Sequence, residues 1–270
     1  LQLPKFSTVF PALLLAACHQ PPIPPPAAIE PPVLVRSGQG VDLATDSSDV
    51  LNELQASGLN FVARYYREPD SRWPPLSAGE AQRLSALGLK IVAVWESHSR
   101  TPAHFSYATG YSDALTAYSQ AKAIGQPIGS AIYFAVDFNV QEPYFALIDD
   151  YFRGVGAGLA AASGGISDYA VGVYGSGAVC YAEKRAGLAQ YSWLSNSIAW
   201  TGSTSYDDWN IRQGARLETL SFNHDADEAR DEYGAFQLTG SPIPMPFGGI
   251  GVIAPPAPQQ GQFASVVAPR

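Results

Sequence analysis

Apolar positions along the chain fall into short runs separated by amphipathic stretches. Residues 54–66, LQASGLNFVARYY, align with residues 84–96, LSALGLKIVAVWE, at an offset of 30. Each copy reads as a helix end, a glycine and then a strand. Gly58 and Gly88 suit the left-handed residue that stops a helix. Phe61–Tyr65 and Ile91–Trp95 are apolar runs of strand length, interrupted only by Arg64, the pattern of strands covered on both faces. Helix starts are marked as well. Ser77-Ala78-Gly79-Glu80 has the spacing of a capping box, followed by Leu84 and Leu87, and Asp46-Ser47-Ser48-Asp49 precedes Val50, Leu51 and Leu54 in the same way.

The alternation continues. Tyr111–Ile124 is predicted as a helix ended by Gly125 and Pro127, and Ser130–Val136 as a strand. Glu142–Ala162 places Phe145, Ile148, Phe152, Val155 and Leu159 on one side of a long helix. Tyr169–Tyr174 reads as a strand and Gly177–Ala186 as a short helix. Further strands are expected near Ser197–Thr201, Trp209–Gln213 and Leu220–His224, with little helix between them. Strand and helix alternating about every 30 residues imply parallel pairing through right-handed crossovers. Eight candidate strands, the first ending at Asp42, favour an α/β fold, a (β/α)8 TIM-type barrel with degraded later units. An open doubly wound sheet is the alternative.

The two ends break the pattern. Lys5 precedes an apolar run from Phe6 to Ala17, too short to span a bilayer, and Leu15-Ala16-Ala17-Cys18 resembles a bacterial lipobox. Residues 1–18 are therefore expected to be a lipoprotein-type signal with Cys18 as the lipidated residue. Residues 19–36 contain seven prolines between 21 and 32, the composition of an extended tether. Residues 241–270 are Pro- and Gly-rich with Arg270 as the only charge, and are expected to be a tail without fixed structure. This leaves residues 37–240 as the folded domain, placed outside the cytoplasm and held to a membrane through an N-terminal lipid.

A net charge of −8 argues against nucleic acid as a partner, since phosphate binding needs a basic surface. Two cysteines do not make a disulfide scaffold.

In such a barrel chemistry sits at the C-terminal ends of the strands. Those ends carry Asp42, Tyr65-Tyr66, Trp95-Glu96, Asp137-Phe138-Asn139, Tyr174, Trp200, Gln213 and Asp225-Ala226-Asp227. Carboxylates mixed with aromatics suit glycoside cleavage, in which one carboxyl protonates the leaving oxygen and another steadies the positive charge on the sugar. Aromatic rings suit sugar faces. Asp42, Glu96 and Asp137 are the catalytic candidates. Tyr66, Trp95, Asn139, Tyr174, Trp200, Gln213, Asp225 and Asp227 are the substrate-binding ones. Asp42 and Asp137 have a plainer alternative as caps of the helices that follow.

Gly40-Val41-Asp42 resembles the first strand of glycoside hydrolase family 25 lysozymes. More closely, the run from GVDLATD through FVARYY, LGLKIVAVWES, AKAIGQPIGSAIYFAVDFN, GVYGS and WNIRQ to DAD resembles the Rv2525c-like glycoside-hydrolase-like domain (domain-of-unknown-function family 1906), over residues 38–240. The resemblance implies a TIM-type barrel, placement outside the cytoplasm and a role on cell-wall glycan. In family 25 lysozymes the fourth strand ends Asp-x-Glu, with the Glu as acid. Here Asp137 matches the Asp, and Asn139 stands where the Glu would be. An amide can hold an N-acetyl group but cannot replace an acid, so Glu96 is the acid candidate, with Asp137 as stabilising carboxylate and Asp42 positioning the substrate. Asp225 or Asp227 matches an Asp near the eighth strand. Two readings follow: a peptidoglycan-directed hydrolase, or a non-catalytic barrel that binds wall glycan or an envelope protein.

Other signals are weaker. Gly175-Ser176-Gly177 lacks the glycine two positions before the serine that a nucleophile elbow needs. Gly154, Gly156 and Gly158 lie in a helical pattern and suit close packing. His19, His98, His104 and His224 lack metalloprotease spacing. His224-Asp225-Ala226-Asp227 has cation donors, but neither a metal nor a cofactor is expected. Cys180 reads as a buried apolar residue. Arg64 is expected to pair either with a mouth carboxylate or in a structural salt bridge.

Overall fold

The computed structural model describes residues 37–239. The expected signal segment, Cys18, the Pro-rich tether and the C-terminal tail lie outside these residues. Eight strands close a barrel in sequential order. The chain runs β1 (Ser37–Leu43), α1 (Leu51–Ala56), β2 (Phe61–Tyr66), α2 (Ala78–Ala86), β3 (Lys90–Trp95), α3 (Tyr107–Ile124) and β4 (Ala131–Ala135). It continues through α4 (Phe145–Ala162), β5 (Ala170–Gly175), α5 (Gly177–Arg185), β6 (Tyr191–Leu194), β7 (Ile211–Gln213) and β8 (Asp225–Arg230). The expected TIM-type barrel with reduced later units is thus observed.

Pairing is parallel from β1 to β7, but β8 runs antiparallel to both β7 and β1. No crossover helix separates β7 from β8, and a direct connection returns the chain antiparallel. Two strand positions differ from expectation. The sixth strand is Tyr191–Leu194, and Ser197–Thr201 forms turns after it. Leu220–His224 is loop, and β8 starts at Asp225.

Period-2 alternation divides the strand side chains between two cores. Phe61, Ala63, Val92, Val94, Tyr133, Ala135, Trp193 and Ile211 fill the barrel. Val62, Tyr66, Ile91, Ala93, Trp95, Ile132 and Phe134 face the helices. Aromatic rings need room inside. A Cβ at Gly40 would stand 2.5 Å from the Phe61 ring, and one at Gly172 equally close to Tyr133. Outside, α3 and α4 pack backbone to backbone. A Cβ at Gly154 or Gly158 would strike the carbonyl oxygen of Tyr107 or Tyr111, whereas Gly156 faces open space. Two of the three helix glycines are therefore contact residues.

Arg64 and Glu80 form a buried hub beneath the loops at the strand ends. Arg64 Nε and Nη2 donate to Glu80 Oε1 at 2.6 Å and Oε2 at 3.0 Å, and Nη1 donates to the Leu43 carbonyl at 2.7 Å. Glu80 Oε1 also accepts from the Ser47 N–H and Oγ, each at 2.8 Å. Arg64 is thus a structural ion pair and touches no mouth carboxylate. The capping box is half formed: Ser77 Oγ accepts from the Glu80 N–H, but the Glu80 carboxylate serves Arg64.

Candidate active-site cleft

The strand ends open into a cleft with two connected parts. A deep cavity of about 250 Å³ is lined by Tyr65, Glu96, Arg100, Asp137, Tyr174, Trp193, Asn196, Gln213 and Asp225, among others. An outer trough of about 890 Å³ shares Tyr65, Glu96, Arg100 and Asp225 and adds Asp42, Arg67, Arg72, Trp73, His98 and His224.

Asp42 lies one residue before the end of β1 with both oxygens engaged. Oδ1 accepts from the Tyr65 hydroxyl at 2.8 Å and Oδ2 from Gln213 Nε2 at 2.8 Å. Burial pushes its carboxyl up to about 6, against those two hydrogen bonds, with Asp225 and Glu96 adding to the rise. Gln213 also accepts from the Tyr174 hydroxyl at 3.0 Å, and Nε2 lies 3.5 Å from Asp225 Oδ2. Burial raises both phenols, so Tyr65 and Tyr174 stay protonated donors. Asp42 caps no helix.

Glu96 follows β3. Burial raises its carboxyl, opposed by Arg67, whose Nη1 lies 3.6 Å from Glu96 Oε2. Asp137 follows β4, and its Oδ2 accepts from Arg100 Nε at 2.9 Å. Burial raises Asp137 too, but Arg100 opposes by both charge and hydrogen bond. The helix after β4 starts only at Phe145, so Asp137 is not its cap.

Five expected binding residues do not line the cleft. Tyr66 and Trp95 are buried between the barrel and its helices, with the Tyr66 hydroxyl on Gln126 Oε1 at 2.6 Å. Their strand parity is outward: Glu96 points into the mouth, so its neighbour Trp95 cannot. Asn139 Oδ1 accepts from the Thr201 N–H and Oγ1, both at 2.9 Å, and ties two loops together. Trp200 lies in the turns after β6, and neither it nor Asn139 lines the cleft. Asp227 sits one step deeper than Asp225, inside the barrel, with Oδ1 on Trp193 Nε1 at 2.9 Å. Burial, reinforced by Asp42, raises its carboxyl well above the ordinary carboxylate range.

Sequence reasoning missed Trp193, Arg67, Arg100 and Trp73. Trp193 was hidden by the misplaced sixth strand. Trp73 is 41% exposed on the trough wall and follows Arg72 in a polar loop, where an aromatic has no core to fill. The discounted signals stay discounted. Ser176 caps α5 and is buried, and burial pushes the Cys180 thiol up to about 12. Both His224 ring nitrogens are engaged by backbone groups of Leu217 and Phe222.

The barrel and its acidic, aromatic cleft define a glycoside hydrolase-like domain. The chain belongs to the family of the Rv2525c-like, glycoside hydrolase-like domain, whose model matches residues 52–236. Asp42 lies just before the matched segment. Among relatives, "Uncharacterized protein YbfG" of Bacillus subtilis (strain 168) is 29% identical over 162 residues, covering 53% of this chain and 21% of YbfG. FadG of the same organism is 28% identical over 176 residues, covering 63% of this chain and 30% of FadG. The chain thus spans between a fifth and a third of these relatives. The crystal structure of the Tat-secreted protein Rv2525c of Mycobacterium tuberculosis superposes with a TM-score of 0.62 at 22% identity, covering 73% of this chain and 98% of that one. That likeness is one of fold.

Proposed function

We propose that the protein is a lipid-anchored glycoside hydrolase outside the cytoplasm that cleaves peptidoglycan or a related cell-wall glycan. The observation that carries this reading is the placement of Glu96 and Asp137 around one cavity, each with its own arginine. The arginine contact is short at Asp137 and long at Glu96. A closer cation favours the charged carboxylate, so Asp137 is the better anion and Glu96 the better proton donor. Glu96 protonates the leaving oxygen and Asp137 steadies the oxocarbenium-like sugar. Asp42, fixed by Tyr65 and Gln213, orients the substrate. Trp73 offers a flat face to a sugar ring.

The test is incubation of the purified protein with peptidoglycan, scored as new reducing ends. Asp137→Asn and Glu96→Gln are each expected to lower the rate at least tenfold while leaving the melting temperature within a few degrees. Unchanged cleavage in both variants would refute the assignment. Asn139 supports a second reading, a glycan-binding barrel without catalysis, because the lysozyme acid position holds an amide turned toward Thr201. Glycan binding that Asp137→Asn abolishes, with no reducing ends from the parent, would establish it.

The anchor rests on Leu15-Ala16-Ala17-Cys18 and the prolines that follow. The Tat-secreted Rv2525c supports placement outside the cytoplasm. Cys18→Ala is expected to move the protein from the detergent phase to the aqueous phase on Triton X-114 partition. Retention in the detergent phase would rule the lipid out.

A further inference from the structure

The two arginines of β2 and its following loop make an internal comparison. Arg64 has every nitrogen hydrogen-bonded, and its Nε/Nη2 edge grips the Glu80 carboxylate as a fork. Arg67, three residues on, is also buried, at 8% exposure, yet its guanidinium is nearly unused. Among the described residues Nε has no hydrogen-bond partner, and Nη1 makes only long contacts to Glu96, 3.4 Å to the carbonyl oxygen and 3.6 Å to Oε2.

The group is nonetheless held in place. Gln120 on α3 clamps the Arg67 backbone from both sides, accepting from its N–H at 3.1 Å and donating to its carbonyl at 2.6 Å. The guanidinium stacks on Tyr65, with Cζ 4.2 Å from the ring centroid. A planar fork fixed in a cleft wall with its donors unfilled is built to receive an oxyanion, and carboxylate is the anion whose geometry matches it. Two more cations stand at the rim. Arg72 lies on the same loop, and Arg100 spends Nε on Asp137. The nearby carboxylates do not fill the fork: Glu68 reaches His98 at 3.4 Å, and Asp70 is exposed to solvent.

We propose that the outer trough recognises a carboxylate carried by the bound glycan, with Arg67 as the reading residue and Arg72 and Arg100 as supporting charges at the rim. This rests on the reading that the cleft holds a glycan. It adds that the glycan is acidic, and it places the charge in the trough beside the deep cavity. A carboxylate there also partly neutralises Arg67 and so leaves Glu96 freer to hold its proton.

The experiment is titration calorimetry of the purified protein with three disaccharides. Chitobiose is neutral. The N-acetylglucosamine–N-acetylmuramic acid disaccharide carries a carboxylate on an ether arm, and the hyaluronan disaccharide carries one on the ring. At least one acidic disaccharide is expected to bind tenfold or more tightly than chitobiose, and the acidic arm that wins identifies the source of the charge. In Arg67→Gln the ratio of the two affinities is expected to fall to within twofold of one. Arg67→Lys keeps the charge but loses the fork, and is expected to lower the ratio at least threefold; it decides the matter if Arg67→Gln does not fold. Equal binding of all three sugars, no binding of any, or a full preference surviving in the variants would overturn the proposal. Reducing-end release is scored separately, so absence of cleavage refutes the hydrolase reading while this preference is decided by its own titration.

Discussion

Glu80→Ala is expected to destabilise the barrel by about 3–5 kcal/mol, because removing one partner of a buried ion pair strands the other charge. Arg64 and Glu80 are both fully buried. Without Glu80, Arg64 loses two of its hydrogen bonds and the Ser47 N–H loses its acceptor. Against a typical domain stability of roughly 5–15 kcal/mol, this is a large fraction. Urea denaturation followed by far-ultraviolet circular dichroism measures it. A loss under about 1 kcal/mol would mean that the pair does not bear on stability as its burial implies. The double change Arg64→Met with Glu80→Leu is expected to recover only part of the loss, since it removes the stranded charge but leaves the Ser47 N–H and the Leu43 carbonyl without partners. The hub also matters to the cleft. Arg64 holds the Leu43 carbonyl, next to Asp42, and reaches the Pro74 carbonyl at 3.4 Å, next to Trp73. Glycan affinity is therefore expected to fall in Glu80→Ala even where the protein remains folded.

The barrel was legible because β2 to β5 are largely apolar runs, broken inside β2 only by Arg64, with helical stripes between them. The failures have physical causes. Tyr191–Leu194, YSWL, is short and half polar, so the later run Ser197–Thr201 looked the better strand and Trp200 took the place of Trp193. The last strand, DADEAR, is acidic because one end faces the mouth and its partner strands supply the apolar cover. Asp225 was found although its strand was not. It stands at the start of an antiparallel strand, opposite Asp42, where a parallel strand would have put its end. Tyr66 and Trp95 show the cost of reading strand ends without parity. On β3 the carboxylate itself sets the phase: if Glu96 faces the mouth, Val94 and Val92 face the barrel and Trp95 faces the helices. Arg67 and Arg100 lie in loops with no period, and charge alone did not distinguish them from solvated arginines.

Asp42 is expected to make the protein less stable as the pH rises from about 4 to about 6. Its folded carboxyl titrates at about 6, above the ordinary value of 3.8. Below the ordinary value the group is protonated both folded and unfolded, and its burial carries no charge penalty. As the pH rises, the unfolded chain releases the proton first, so the contribution to stability is lost progressively up to the folded value and stays lost above it. At neutral pH the buried charge costs on the order of 3 kcal/mol. Glu96 and Asp137 are raised in the same direction and add to the slope. Asp42→Asn removes the charge while keeping the shape. Oδ1 still accepts from Tyr65, but the amide sets a donor against Gln213 Nε2 unless that side chain turns over. We expect the variant to be more stable than the parent at pH 7 by about 1–2 kcal/mol, with a flatter urea midpoint between pH 4 and 6.5. The same change is expected to weaken glycan cleavage. A variant no more stable at pH 7, with the parent's slope intact, would show that Asp42 is not the source of the pH dependence. A gain in stability joined to a loss of activity would show why a buried carboxylate, expensive to keep charged, stands at the C-terminal end of the first strand.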